Sequence, residues 1–325
     1  LINVNEFLPY KSTDPGLVSS QLCVVKQQIN YLQYKQAIMK KIILITGTGS
    51  GFGKLMTITL AKAGHTVIAS MRGIADRNAA AAKELGALPN VDVVELDITD
   101  DDSVNNAVKT VLSKYGRIDV LVNNAAVSGF GLLESWSIDQ IKKMQEINVY
   151  GVIRTYQAVL PAMRQQHSGL IINLTSGASG FTLPFMVPYL MSKFAVETIT
   201  EGAQLELKQY GIENVSIQPG VYPTEMNNGT KAGIHGDKED ITAEYGEPAA
   251  QLFNSIGGAL FGKMTEFNMD PQVIADGVLA LVNMEKGTRP LRYPLDAVAQ
   301  GTDHEFVTAR AAIKEKWLAK YGLSL

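Results

Sequence analysis

The sequence predicts an α/β fold built on one parallel sheet, and three observations carry that reading. From Lys41 onward, short apolar runs alternate with helix-length segments, the rhythm of strand–helix–strand units. The first apolar run, 42–46, opens directly into Thr46-Gly47-Thr48-Gly49-Ser50-Gly51-Phe52-Gly53, a glycine-rich turn leading into a helix. The run Leu170-Ile171-Ile172-Asn173-Leu174 is apolar almost throughout instead of alternating, as expected of a strand buried on both faces.

Residues 1–38 differ in character from the rest of the chain. They hold the turn-forming piece Lys11-Ser12-Thr13-Asp14-Pro15-Gly16 and a weakly helical stretch over 27–40, with no charged stretch running into an apolar signal-like segment. Met39 directly precedes the first strand, so we expect the domain to span 39–325 and residues 1–38 to be an upstream or added leader. A short docking or oligomerisation arm is the alternative.

Strand 42–46 and the glycine turn lead into a helix over about 51–63. Glycines let the backbone approach a pyrophosphate, and the helix start offers free N–H groups and a positive dipole end. Gly47, Thr48, Ser50, Gly51, Phe52 and Gly53 are therefore candidate cofactor contacts. The second strand, 66–70, ends where a dinucleotide fold reads the adenosine ribose. A carboxylate there binds the 2′-hydroxyl of NAD, but this chain has Met71 and Arg72. A guanidinium pairs with a 2′-phosphate, so NADP(H) is expected over NAD(H), with NAD(H) as second candidate.

A helix over 76–85, with Asp76 as its N-cap, precedes a strand over 91–96 that ends in Asp97-Ile98. Asp97 is placed to accept from an adenine amino group. Helix 101–115 and strand 118–122 lead to Asn123-Asn124-Ala125-Ala126, whose amides can bond neighbouring strands and the cofactor ribose. A long helix over 138–163 carries Asn148 among apolar neighbours, a disfavoured position that demands partners. A water chain leading to Lys193, or backbone groups alone, would supply them.

After strand 170–174 and Ser176, a helix is expected from about 187 or 188 to 210. A sixth strand, 214–218, ends in Pro219-Gly220-Val221-Tyr222-Pro223-Thr224, where the reactive ring of a dinucleotide should lie. The stretch over about 221–268 is long for a connection and reads as a substrate lid. A helix over 271–284, a seventh strand over 289–293 and a last helix over about 305–321 complete the chain, without repeats or a linker.

Bulk properties narrow the function. Apolar residues make up 46% of the chain, the formal charge is −3, and no long basic run exists, which argues against nucleic acid and membrane as partners. No apolar run approaches the roughly 20 residues that span a bilayer. The single cysteine, Cys23, allows neither an intrachain disulfide nor a cysteine-based zinc site. His65, His167, His235 and His304 show no ligand spacing and read as surface or loop histidines. No metal is expected, and a cytoplasmic setting fits.

The chemistry concentrates at 176–193. Tyr189 and Lys193 are four residues apart, on one helix face, and Ser176 follows a strand end. Hydroxyl, phenol and ammonium together suit proton transfer to a carbonyl oxygen, since a nearby ammonium favours the phenolate. Tyr-x-x-x-Lys alone is weak: Tyr31 and Lys35 repeat it, with Val18 where the serine would be. Phe181, Leu183, Phe185, Met186 and Val187 beside the tyrosine, and Tyr222, Met226, Leu252, Phe253 and Phe261 in the lid stretch, point to a fairly apolar substrate. Of these, Phe181, Phe185, Tyr222 and Met226 are the substrate-pocket candidates.

The ordered marks resemble the short-chain dehydrogenase/reductase family: Thr-Gly-x-x-x-Gly-x-Gly at 46–53, Asp97, Asn-Asn-Ala at 123–125, Asn148, Ser176, Tyr189 with Lys193, and Pro219-Gly220 with Thr224. The match covers about 40–295, departing at Ala126, where the family usually has glycine. The Pro-Gly-Val-Tyr-Pro-Thr turn and Leu291-Arg292-Tyr293-Pro294 are similar to the 17β-hydroxysteroid-dehydrogenase-like group. The resemblance implies a Rossmann-type doubly wound sheet of order 3-2-1-4-5-6-7 and an NADP(H)-dependent oxidoreductase acting between a ketone or aldehyde and its alcohol. It implies Tyr189 as general acid/base, Lys193 lowering its pKa and bonding the nicotinamide ribose, Ser176 positioning the substrate oxygen, and Asn148 holding a relay water. Cofactor contacts then extend to Arg72, Asp97, Ile98, Asn124, Ala125, Pro219, Gly220, Val221 and Thr224. Homodimers or homotetramers are expected through helices within about 131–165 and 187–210. An epimerase or dehydratase using the same residues, and a non-catalytic NADP(H)-responsive binding protein, are the rival readings.

Overall fold

The computed structural model describes residues 40–226 and 233–324. The readings placed on Met39, the leader, Cys23 and the Tyr31–Lys35 pair lie outside the described residues, as does part of the lid stretch.

Seven parallel strands lie in the order 3-2-1-4-5-6-7. They are β1 (Ile42–Thr46), β2 (Thr66–Met71), β3 (Val91–Glu95), β4 (Val120–Asn123), β5 (Gly169–Leu174), β6 (Ile212–Pro219) and β7 (Arg292–Leu295). The helices are α1 (Gly51–Lys62), α2 (Ala79–Gly86), α3 (Asp101–Tyr115), α4 (Ile138–Gln145), α5 (Gly151–Gln166), α6 (Val187–Leu207), α7 (Glu239–Glu244), α8 (Gly246–Glu266), α9 (Gln272–Asn283) and α10 (Thr302–Lys320). Successive strand residues point to opposite faces, and both faces are covered. Ile43, Ile45, Val67, Val122 and Ile172 join one core with α1 and α9. Leu44, Ile68, Leu121 and Ile171 join the other with α3, α5 and α6. Strand order reverses between β1 and β4, which opens a crevice at the carboxyl edge of the sheet.

The helix predicted over 101–115 is observed at those bounds, because both ends carry their own stop signals. The Asp100 carboxylate accepts from Ser103 N, and Gly116 closes the other end at φ +72°. Elsewhere the structure corrects the expectation. Asp76 does not cap α2. Residues 74–78 are turns, tied down by Gly73 N and Ile74 N donating to the Glu95 carboxylate at 2.6 and 2.9 Å, and Asn78 takes the cap position. The long helix over 138–163 is not continuous, because Glu146–Tyr150 form a π-helical segment between α4 and α5. β7 starts three residues late. Arg289 is committed to the end of α9, donating to Leu281 O at 2.6 Å and Met284 O at 2.6 Å while pairing with Glu213. The described part of the lid stretch is largely helical, as α7 and α8. His65, expected as a surface or loop histidine, lies in the connection between α1 and β2, where it is buried and accepts from Lys41 N at 3.3 Å.

Candidate active site

Local backbone geometry shapes the first wall of the crevice. Gly47 sits at φ +70° and Gly51 at φ +52°, left-handed conformations that glycine adopts without the steric penalty a side chain brings. A Cβ on Gly53 would lie 2.3 Å from Gly47 O, so the helix start can approach the turn only without a side chain. Ser50 at the N-cap makes no side-chain cap, and the first turn of α1 holds no acidic residue. The N–H groups at the start of α1 thus face an anion-sized cradle. Asn124 fixes the turn from behind, its amide donating to Thr46 O at 2.8 Å and Gly47 O at 2.9 Å.

A continuous cleft of about 1390 Å³ runs along the carboxyl edge. Of the residues singled out by sequence, Gly47, Ser50, Gly51, Phe52, Arg72, Asp97, Ile98, Asn124, Ala125, Ser176, Tyr189, Lys193, Pro219, Gly220, Val221 and Thr224 line it, as do Phe181, Phe185, Tyr222 and Met226. Thr48, Gly53 and Asn148 do not. Thr48 is fully buried, its hydroxyl donating to Ser70 O at 3.2 Å, and Gly53 packs behind the turn. Tyr222 forms wall more than contact: its hydroxyl donates to Leu295 O at 2.9 Å and its ring meets Phe52 edge-on.

Where β2 and β3 end, at one end of the cleft, Arg72 lies 3.7 Å from Asp97. Burial opposes ionisation of Asp97, but hydrogen bonds from the Thr99 N–H and hydroxyl, with the Arg72 charge, outweigh it and hold the carboxyl below its ordinary value. Sequence reading missed Arg77 and Asn78, which line the same end, the Asn78 amide donating to Arg72 O at 2.6 Å. Arg77 was legible as a second cation in the loop after β2; Asn78 carried no signal.

Ser176, Tyr189 and Lys193 share the cleft's centre. The β5 end delivers Ser176, whose Oγ accepts from Ala178 N at 3.2 Å within the turn Gly177–Gly180. The hydroxyl proton donates to no protein group among the described residues. Pro188 sits in the first turn of α6, where its missing N–H costs nothing, and Tyr189 and Lys193 follow one turn apart. Lys193 Nζ donates to Leu174 O at 2.9 Å and lies 5.7 Å from the Tyr189 ring centre. Lys193 is buried, and Tyr189 is half-buried in the cleft wall. Burial pushes the Tyr189 phenol up to about 12 and the Lys193 ammonium down to about 8. In this state burial outweighs the help that the ammonium was expected to give the phenolate.

Asn148 occupies the π segment. Its amide donates to Val127 O at 2.8 Å and Ser192 Oγ at 3.0 Å, and its carbonyl accepts from Val127 N at 2.8 Å. Its partners are therefore backbone plus one hydroxyl, joining the loop after β4 to α6. A further buried carboxylate, Glu197, lies one turn beyond Lys193. It accepts from Thr175 Oγ1 at 3.0 Å, Gln218 Nε2 at 2.7 Å, Arg292 Nε at 2.9 Å and the Ser216 hydroxyl. It thus ties the residues beside Ser176 and Pro219 to β7. His235, expected as a surface or loop histidine, sits in the loop before α7 and lines the cleft, stacked on Phe130 with Nδ1 accepting from Phe130 N at 3.2 Å. Neither Glu197 nor His235 belongs to a local motif that would have marked it.

A glycine cradle beside a hydroxyl, a phenol and an ammonium on one cleft defines an oxidoreductase of the dinucleotide-binding α/β class. The chain belongs to the short-chain dehydrogenase family, whose model matches residues 41–234. It is 35% identical over 262 residues to an uncharacterized oxidoreductase, YusZ, of Bacillus subtilis, covering 79% of this chain and 89% of that one. It is 34% identical over 206 residues to a 3-ketodihydrosphingosine reductase of Bacteroides thetaiotaomicron, covering 63% and 73%. A short-chain dehydrogenase structure from Streptomyces avermitilis superimposes with a TM-score of 0.68 at 28% identity, covering 88% of this chain and all of that one. Among the described residues no helix is long and apolar enough to cross a membrane, and no cluster of potential metal ligands occurs.

Proposed function

We propose that this protein is an NADP(H)-dependent oxidoreductase that interconverts a ketone or aldehyde and its alcohol on a fairly apolar small molecule. The observation that carries the reading is the convergence of Ser176, Tyr189 and Lys193 on one cleft beside the glycine cradle. That cradle fits a pyrophosphate, because only glycine fits at Gly47 and Gly53 and the α1 N–H groups are uncapped. Arg72 and Arg77 at the adenosine end support NADP(H). Bound there, the cofactor would supply or accept the hydride.

The chain's own residues manage the oxygen and its proton. Ser176 Oγ donates to the substrate oxygen and fixes its position. Tyr189 holds a proton at neutral pH, since burial keeps its phenol at about 12, and so is poised as the acid of the reducing direction. As the proton passes to the substrate oxygen, the Lys193 ammonium on the ring side stabilises the phenolate left behind. Asn148 locks the Val127 loop to α6 and so keeps Tyr189 in register. The Bacteroides relative, by its name a reductase of a ketone, supports the direction. Exposed Ile138, Tyr150, Met191, Phe194 and Leu205, on and beside α4 and α6, support a homodimer or homotetramer.

Tyr189→Phe tests the reading. Turnover of a ketone should fall about 10²–10⁴-fold, the usual worth of a positioned proton donor, while NADPH affinity is retained. Unchanged turnover would remove the phenol from the mechanism.

A further inference from the structure

The inner face of α8 is an unbroken apolar track. Ala249, Phe253, Ile256, Gly257, Leu260 and Phe261 recur at helical spacing and all line the cleft, and none of the residues that α8 gives to the lining is charged. The helix buries no residue, so this stripe serves the cleft and not a core. Apolar exposure elsewhere tells the same story. Five described phenylalanines are exposed, and four of them, Phe181, Phe253, Phe261 and Phe306, lie on the cleft. Such exposure would be unfavourable without an apolar occupant to cover it.

The track is long and joins the reacting centre. Phe253 meets Phe185, in the segment that leads into Tyr189, at 5.2 Å between ring centres, and Phe130 at 6.2 Å. With a rise of about 1.5 Å per residue, the lining from Gly246 to Phe261 spans roughly 22 Å, or about 11 Å either way from Phe253. A carbon chain with bonds of about 1.5 Å at angles near 111° advances about 1.25 Å per bond. Roughly nine bonds therefore fit between Phe253 and one end of the stripe. A single six-membered ring, about three bonds across, would leave most of that length uncovered.

We infer that the substrate is a single-chain aliphatic compound, with its carbonyl or hydroxyl near one end and a tail of roughly nine or more carbons laid along α8. This inference rests on the proposed function for the chemistry at the head, but not for the tail site itself.

The test is the NADPH-dependent turnover of a homologous series from 2-pentanone to 2-tetradecanone. Each methylene should raise kcat/KM by about two- to fourfold, fourfold being the value of full burial, until the track is filled. Gly257→Phe plugs the track midway. A Cβ at Gly257 meets nothing within 4 Å, and the change favours helix, so the variant should fold. It should lower the ratio of long-chain to short-chain kcat/KM at least tenfold. Wild-type turnover independent of chain length overturns the inference. If no ketone is reduced, the proposed function fails instead, and displacement of a fluorescent fatty-alcohol probe by 1-alkanols decides the tail site. Affinity that rises with chain length and is weakened in Gly257→Phe upholds the site, and length-independent affinity overturns it.

Discussion

Replacing Lys193 by methionine should destroy activity and yet make the free protein more stable at neutral pH. Lys193 as a residue is 5% exposed, and burial moves its pKa from an ordinary 10.5 to about 8. The folded chain therefore releases this proton at about pH 8, whereas the unfolded chain keeps it until about 10.5. Between those values the unfolded state binds more protons, so stability rises with pH through that window. Below it the full cost of the buried charge applies, about 3 kcal/mol at about 1.4 kcal/mol per pH unit. Methionine has similar length and no charge. Its substitution also removes the hydrogen bond to Leu174 O, a loss of about 1 kcal/mol. The net expectation is a gain of about 2 kcal/mol at pH 7, shrinking and then reversing as pH approaches about 10.5. Urea unfolding of the cofactor-free protein and the variant across that range reads both the sign and the slope. A variant less stable than wild type at pH 7, or curves that run parallel to pH 10, would refute the reasoning.

Three further outcomes are expected at the site. Arg72→Ala should weaken NADPH binding roughly 5- to 30-fold and leave NADH binding unchanged; the figure is one charged hydrogen bond, discounted because the side chain is 45% exposed. Fluorescence titration with both cofactors measures it, and equal losses for the two would remove the phosphate contact. Gly53→Val should abolish measurable NADPH binding with secondary structure retained by circular dichroism, since its Cβ would meet Gly47 O at 2.3 Å. Arg292→Leu should destabilise by about 3–5 kcal/mol in urea, because it strands the buried Glu197 carboxylate; a change below about 1 kcal/mol would show that Thr175, Ser216 and Gln218 suffice.

The parts of this molecule legible in its sequence are those fixed by short-range rules. Strands such as 170–174 and the capped helix over 101–115 carry their signals within a dozen residues, and so does the pairing of Tyr189 with Lys193. The glycine turn was legible for the same reason, since Gly47 needs a left-handed backbone and a side chain on Gly53 would meet Gly47 O and Thr48, its neighbours in sequence. What escaped depends on distant partners. The delayed start of α2 is set by Glu95 on a neighbouring strand, and that of β7 by Arg289 reaching back to α9. The π segment at Asn148 exists with Val127 and Ser192 as its partners, 21 and 44 residues away. Thr48 reads as a cofactor contact because it lies within the glycine turn, yet its side chain turns to Ser70 in the sheet.

The two helices that roof the cleft, α8 and α10, bury no residue, whereas the strands and helices beneath them supply the cores. Global stability is therefore set almost entirely by the floor, and the roof opens at low free energy. Limited proteolysis should nick it first. Mutations there escape the stability threshold that purges most changes in a core. Over generations such a chain can trade one clientele of molecules for another by altering two helices, while the machinery underneath is inherited intact.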